Sequence, residues 1–218
     1  WKEWAQKVSL FSSVQHVDRN SYYGAQQDPN AYGKTKDLTY VGGATYTGRF
    51  GHLIFSPATL TAGIEYQYNS LHDIMTGYKR DLKQDVRIAS AYGQGEWTIR
   101  QFTVLTGLRI DSHNLIDNPI FSPRVNVMWK PAKDIQARAT WSTGFRGEGV
   151  LIKLAEGLKP EHSNSFSGSV DWTFRSGHFL FNILAETFYT SLTDVFYLQN
   201  IGVDDNGFTI QERRNGDG

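Results

Sequence analysis

Apolar and polar residues alternate one for one along most of this chain, and that pattern excludes most folds. Phe166, Gly168, Val170, Trp172 and Phe174 alternate with Ser165, Ser167, Ser169, Asp171 and Thr173. Leu60, Ala62, Ile64, Tyr66 and Tyr68 alternate with Thr61, Gly63, Glu65, Gln67 and Asn69, and Ile135, Ala137, Ala139 and Trp141 with Gln136, Arg138, Thr140 and Ser142. Phe102, Val104, Leu108 and Ile110 alternate with Thr103, Arg109 and Asp111. Successive side chains on a strand point to opposite faces, so each segment has one apolar and one polar face. Helical periodicity is almost absent. The pattern predicts about ten strands, over 6–22, 37–53, 58–70, 84–98, 101–113, 122–130, 135–146, 163–175, 178–199 and 206–213. Gly and Ser interrupt the alternation in the first, second and fourth, where register is least fixed.

The predicted connections alternate in length. Short turns fall at 56–58, 98–101, 131–134 and 175–177, and longer polar segments at 24–36, 71–83, 114–121, 147–162 and 200–205. An up-and-down barrel produces this rhythm, with tight turns on one rim and loops on the other. Alternation alone does not say which face looks outward. A soluble sandwich buries its apolar faces against each other, whereas a transmembrane barrel turns its apolar face to lipid. Trp97, Trp129 and Trp172 close to short turns, with Tyr22, Tyr23 and Tyr68 at the loop-side ends, resemble two interfacial girdles. Aromatics at 14 % and 21 Gly with mean hydropathy −0.44 also suit a barrel. No repeat or linker divides 1–218, which reads as one unit.

The 22 basic and 22 acidic residues balance, which argues against a nucleic-acid partner. The chain has no Cys, so disulfides, thiolate metal sites and cysteine nucleophiles are excluded. His16, His52, His72, His113, His162 and His178 are scattered, without ligand spacing. Asp204-Asp205-Asn206-Gly207 lacks the acidic residue that a calcium loop needs, since Arg213 stands there. Gly144, Gly147 and Gly149 form no phosphate fingerprint, and no nucleophile elbow is present. Neither an enzyme nor a cofactor or metal site is expected.

Ser122-Pro123-Arg124 opens a strand that ends Trp129-Lys130-Pro131, and the next closes in Gly144-Phe145-Arg146. Leu158-Lys159-Pro160-Glu161-His162-Ser163 follows about a dozen residues later. Gly107-Leu108-Arg109-Ile110-Asp111 and Tyr189 to Val195 add two further strand-end motifs. This ordered succession, over roughly 58–197, resembles the barrel of TonB-dependent outer-membrane receptors. Gly147-Glu148 departs from the Ala-Pro preferred by the family.

The resemblance implies an all-β fold class, an antiparallel, up-and-down transmembrane β-barrel segment comprising about ten strands of a 22-stranded barrel. The family's plug domain is absent from this chain, as are the segment gripped by TonB and a terminal aromatic strand, so a fragment is expected, with edges near 6–22 and 206–213. Such receptors sit in the outer membrane of Gram-negative bacteria. They import a bulky, scarce nutrient, a ferric siderophore or cobalamin, with energy delivered through TonB. Expected partners are membrane lipid, the plug, TonB and the ligand. A passive porin or a soluble carbohydrate-binding sandwich remain the alternatives.

Glu65, Gln67, Arg109, Arg124, Asn126, Gln136, Arg138 and Asp171 are expected to line the lumen or face the plug. Ligand contacts are expected on the long loops and the upper barrel wall, at Tyr22, Tyr23, Tyr32, His72, Tyr78, Lys79 and Arg80. Ser122, Pro123, Arg124, Gly144, Phe145, Arg146, Leu158, Pro160 and Glu161 carry the family motifs. Pro160 would fix the entry to its strand, and Glu161 would accept hydrogen bonds from loop amides.

Overall fold

The computed structural model describes residues 6–22, 24, 29–78, 80–146, 159–203 and 209–216. Its strands follow one another in chain order: β1 (Gln6–Tyr22), β2 (Tyr32–Leu53), β3 (Ser56–Met75), β4 (Arg80–Ile99), β5 (Phe102–His113), β6 (Ile120–Ala132), β7 (Ile135–Arg146), β8 (Glu161–Ser176), β9 (Phe179–Thr193), β10 (Val195–Val203) and β11 (Thr209–Gly216). Strands β1 to β9 form one antiparallel meander in sequence order, and β10 pairs with β11 in a separate hairpin. Short 3-10 turns at Pro29–Ala31 and Thr76–Tyr78 lie on the rim of the longer connections. On the other rim, neighbouring strands are joined by two-residue turns. Gly177 opens one of these at φ 60°, the left-handed conformation that costs glycine least.

Register carries face assignment across the whole sheet. Glu65 lies opposite Ser90 and Ser90 opposite Asp111, while Arg109 lies opposite Ser122 and Arg124 opposite Ser142. Arg138 lies opposite Ser169, and Gln136 opposite Asp171. Residues two apart share a face, so all these polar groups stand on one side. Ile64, Tyr66, Ala137, Ala139, Val170 and Trp172 stand on the other.

Burial is inverted relative to a soluble sheet. On the polar face Asp73 and Asp111 are 2 % and 1 % exposed, whereas Ile64 on the apolar face is 63 % exposed. Phe166, Val170 and Trp172 are also exposed. The described strands provide no second large sheet to cover this apolar face, so the soluble sandwich fails. We call the apolar face outer and the polar face inner. Outer positions from Ala58 to Tyr66 on β3, and from Phe166 to Phe174 on β8, are apolar or glycine. Each stretch approaches the ~9–11 residues of a tilted membrane-spanning strand.

Aromatic side chains mark the lower edge of that band, on the short-turn rim. Phe55 stacks on Trp97 at 5.3 Å and Phe102 on Trp129 at 6.1 Å. Trp172, Phe174 and Phe181 continue the series at 4.6 and 5.2 Å. Trp97 donates from Nε1 to Leu53 O at 2.9 Å, which keeps its one polar atom paired.

Two expectations change. The single strand expected over 178–199 divides at Asp194, whose φ of 55° turns the chain out of the sheet. The second edge of the meander is therefore β9 rather than a strand over 206–213, and β1 and β9 are not paired with each other. The expected loops 24–36 and 71–83 are also largely strand, because β2, β3 and β4 run well past the apolar band. Above that band both faces meet polar surroundings, so the alternation that reveals a strand fades.

The outer face generates a stability test. A basic residue at mid-depth against lipid costs about 2–4 kcal/mol. Ala139→Arg, on the outer face, is expected to lower the unfolding free energy of the membrane-inserted receptor by that amount. Gln136→Arg, on the inner face, is expected to cost less than about 1 kcal/mol on the surface-substitution scale. Urea titration in bilayers measures both.

Candidate functional site

The inner face of β3 to β6 carries a continuous polar network. Arg109 on β5 donates from Nη2 to Glu65 Oε1 at 2.9 Å and to Ser90 Oγ at 2.8 Å. Its Nε reaches Asp111 Oδ1 at 2.9 Å, and Ser90 Oγ donates to the same oxygen at 2.5 Å. The guanidinium lies 5.9 Å from the centre of the Tyr92 ring. Tyr92 crosses β3 above Gly63, where a Cβ would collide with its ring, and its hydroxyl meets Thr45 Oγ1 on β2 at 2.6 Å. Glycine at 63 is thus what lets a β4 side chain tie to β2.

Next along the wall, Arg124 donates to Gln94 Oε1, and Asn126 Nδ2 donates to Thr140 Oγ1 at 2.7 Å. With its amide oxygen turned to Arg138, Gln136 accepts from that guanidinium at 2.8 and 2.7 Å. Asp171 Oδ1 accepts from Asn182 Nδ2 at 2.6 Å. A shallow cavity of about 420 Å³ is lined by Tyr92, Gln94, Arg109, Ser122, Arg124 and Ser142. Two acids and two bases occupy its neighbourhood, and Arg109 is shared between both acids. Such a wall offers hydrogen bonds to a polar body without selecting one sign of small ion.

A second inner cluster stands above the apolar band. Thr35 Oγ1 donates to Asp73 Oδ1 at 2.7 Å, Arg19 donates to Thr35 Oγ1 at 3.3 Å, and Arg80 Nε lies 3.4 Å from Asp73 Oδ2. Asn69 Nδ2 donates to Asp37 Oδ2 at 2.9 Å and to Thr39 Oγ1 at 2.8 Å. Among the described residues, Asn69 Oδ1, Gln84 Oε1 and Asp111 Oδ2 are buried on this face without a hydrogen-bond partner.

The eight residues expected to line the lumen share this inner face, Gln67 opposite Ile88 included. The residues expected to contact ligand do not form one group. Tyr22 ends β1 as expected, and Tyr32, His72 and Arg80 stand in paired strands rather than loops, because the strands extend above the membrane band. Tyr22 and Tyr32 face each other on the outer face with ring centres 4.7 Å apart. His72 is also on the outer face, with Nε2 2.8 Å from Asp81 Oδ1. Arg80 alone joins the inner cluster. Tyr23 and Lys79 lie outside the described residues, as does the Tyr78 side chain. Asp111, Ser90, Tyr92, Asp73 and Thr35 were not singled out from the sequence as site residues. Asp111 was legible in the Gly107–Asp111 motif, whereas Asp73 and Thr35 were hidden in segments read as loops.

The motif residues organise the long rim. Ser122 lines the cavity, while Pro123 is on the outer face opposite Leu108, and pairing with β7 begins only at Arg124. The missing Pro123 N–H thus falls where no β7 acceptor waits. Gly144 lies opposite Ser163, Phe145 opposite His162 and Arg146 opposite Glu161. The Arg146 side chain and Leu158 lie outside the described residues. Beside Pro160, the Glu161 carboxylate is 7 % exposed and accepts from Phe196 N at 2.6 Å. Asn215 then clasps Lys159, accepting from its N–H at 2.8 Å and donating to its carbonyl at 2.9 Å. It also donates to Asp194 O at 2.6 Å. Glu161 and Asn215 together fasten the β10–β11 hairpin to the start of β8.

An exposed apolar band, a hydrogen-bonded polar wall on the opposite face and an up-and-down meander define a section of a transmembrane β-barrel. The family model of the TonB-dependent receptor-like β-barrel matches residues 2–217, and the chain belongs to that family. It is a family of receptors rather than enzymes. No curated protein matches the chain. Among solved structures, the chain is similar to the siderophore receptor PirA from Pseudomonas aeruginosa, with 15 % identity and a TM-score of 0.71 over 98 % of this chain and 45 % of that one. The FrpB iron transporter from Neisseria meningitidis aligns at 15 % identity and TM-score 0.67, over 95 % and 37 % of the two chains. The copper transporter OprC aligns at 12 % and 0.68, over 96 % and 38 %. The chain thus spans less than half the length of these structures, and at such identities the likeness is one of fold.

Two substitutions test the network and the clasp. Removing one partner of a wholly buried ion pair costs about 3–5 kcal/mol. Arg109 is 37 % exposed and Asp111 2 %, so Arg109→Gln is expected to cost about 2 kcal/mol in urea titration. Asn215→Ala removes three hydrogen bonds and is expected to speed amide exchange across Val195–Val203 while leaving β8 and β9 protected. Unchanged exchange in the hairpin would show that the clasp does not hold it.

Proposed function

We propose that this chain is part of an outer-membrane active transporter of a Gram-negative bacterium. The transporter imports a bulky, scarce nutrient, a ferric siderophore foremost, with energy delivered through TonB. The carrying observation is the inner wall: a continuous polar face whose charges are paired among themselves, around Arg109, Glu65 and Asp111. A wall of this kind is built to be covered by a polar body. The proposed body is the family's plug domain, on a segment other than 1–218, with the remaining strands of the barrel satisfying the free edges of β1 and β9.

The preference for a chelate rests on the hydrogen-bonding side chains of the same wall. A bulky chelate binds through hydrogen bonds and ring contacts. The names of PirA and FrpB, a siderophore receptor and an iron transporter, support that ligand class. The Glu161–Asn215 clasp places the β10–β11 hairpin on the rim where such a ligand would arrive.

Uptake by cells carrying the full-length receptor is expected to saturate with ferric siderophore and to stop when a protonophore collapses the inner-membrane gradient. Uptake that persists without the gradient would replace this reading with a passive porin.

A further inference from the structure

We propose that the β2–β3 turn, Ile54-Phe55, is a membrane anchor, immersed in the lipid leaflet on the short-turn rim rather than standing in the water below it. The inference rests on the outward facing of the apolar band and goes beyond transport.

Among the described residues four two-residue turns close hairpins on this rim, and three of them are built for water. Arg100-Gln101, Lys133-Asp134 and Gly177-His178 offer polar side chains or glycine. Ile54-Phe55 offers no polar side chain, and Ile54 is 74 % exposed. A lone exposed isoleucine is ordinary on a protein surface. This one stands at φ 65°, where a β-branched side chain crowds its own backbone. Gly177 holds the equivalent first position of its turn at φ 60° without that strain. In water Ile54 would add strain and exposed apolar surface together. In lipid the same surface is stabilising.

The turn is also tied to the outer face. Just before it β2 carries one residue more than β3, Gly51 and His52 standing against Pro57 between the pairs Phe50–Ala58 and Leu53–Ser56. Such a bulge bends its strand, and Pro57 brings no N–H to the ladder there. Beyond the bulge Leu53 O accepts from Phe55 N at 2.9 Å and from Trp97 Nε1 at 2.9 Å. Phe55 stacks on the same indole, whose Cα partner in register is Ala58 of the outer face. Trp97 is consequently 8 % exposed, where Trp129 and Trp172 are 43 % and 44 %. With the indole covered by protein, Phe55 and Ile54 take over its contact with lipid.

The polar neighbours do not oppose immersion. Ser56 is buried and donates from its hydroxyl to Pro57 O at 3.2 Å. His52 is exposed on the bulge, and an imidazole presents an apolar body with a polar tip that suits the interface. Phe55 joins Ile54 to Trp97 and so to the apolar band, and that continuity makes lipid the occupant.

The test uses full-length receptor in phospholipid bilayers, with any cysteine outside 1–218 replaced by serine. Single cysteines at 54, 101, 133 and 178 carry a nitroxide in separate samples, and 170 serves as the outward reference. The ratio of oxygen to nickel-chelate collisions at 54 is expected to stand several-fold above those at the three polar turns. A second arm leaves the turn unlabelled. Arg100 shares the left-handed conformation at φ 53° with an exposed, water-suited side chain. Arg100→Gly is expected to keep or raise the urea midpoint in bilayers, because it relieves strain. Ile54→Gly also relieves strain, yet is expected to lower the midpoint, because the lipid contact goes with the side chain. A ratio at 54 equal to those at the polar turns, with 170 reading lipid, overturns the anchor. An Ile54→Gly midpoint raised as far as that of Arg100→Gly does the same. Poor access of both reagents to 54 overturns lipid as the occupant in favour of a protein segment. A reference at 170 that reads water overturns the outward facing of the band, and the anchor with it.

Discussion

In hydrocarbon a backbone N–H or C=O has no water to fall back on, and each one left unpaired costs several kcal/mol. Everything else in this structure follows from meeting that demand. The meander satisfies it strand by strand, each of β1 to β8 pairing with its successor through the apolar band. Once the backbone is paired laterally, the side chains are free to divide between two faces. The division inverts that of a soluble protein, with Ile64 and Val170 outward and Asp111 inward. The demand also gives the free edges of β1 and β9 their meaning, as places where further strands belong.

The inner wall obeys a second, related rule. Charges taken away from bulk water must be paired or hydrogen-bonded. Arg109 meets it by bridging Glu65, Asp111 and Ser90, and Tyr92 meets it by crossing Gly63 to reach Thr45. The Arg109–Glu65 and Tyr92–Thr45 ties each span three strands, linking strands that the backbone ladder joins only through the one between them. The long rim is braced differently: Glu161 and Asn215 use side chains to hold a hairpin that the sheet's ladder does not reach.

Much of the fold was legible in the sequence because lipid enforces alternation. Strands β5 to β8 sit almost wholly inside the membrane band, and their alternation gives both extent and facing. The sequence misled where lipid stops. Above Tyr66 polar and apolar residues mix on both faces of β2, β3 and β4, with Leu71 and Val86 buried on the inner one, so 24–36 and 71–83 read as loops although most of each is strand. Asp73 and Thr35 were hidden there, as were the cross-strand partners of His72. The break at Asp194 was also invisible, because a left-handed φ at an aspartate leaves no trace in hydrophobic periodicity. The Leu158–Ser163 motif was readable as a marker, and the amide accepted by Glu161 became clear only from the fold.

Residues 1–218 hold no cysteine, so a single cysteine placed in this wall is the one label it carries. Single cysteines placed in turn from Ser165 to Phe174 of the full-length receptor can carry a nitroxide, read by its collisions with oxygen from the lipid and with a nickel chelate from the water. Oxygen accessibility is predicted to peak at 166, 168, 170 and 172, and nickel accessibility, wherever the lumen admits the chelate, at 165, 167, 169 and 171. Oxygen peaks at the serine positions, or no alternation at all, would contradict an outer apolar face and with it the whole account.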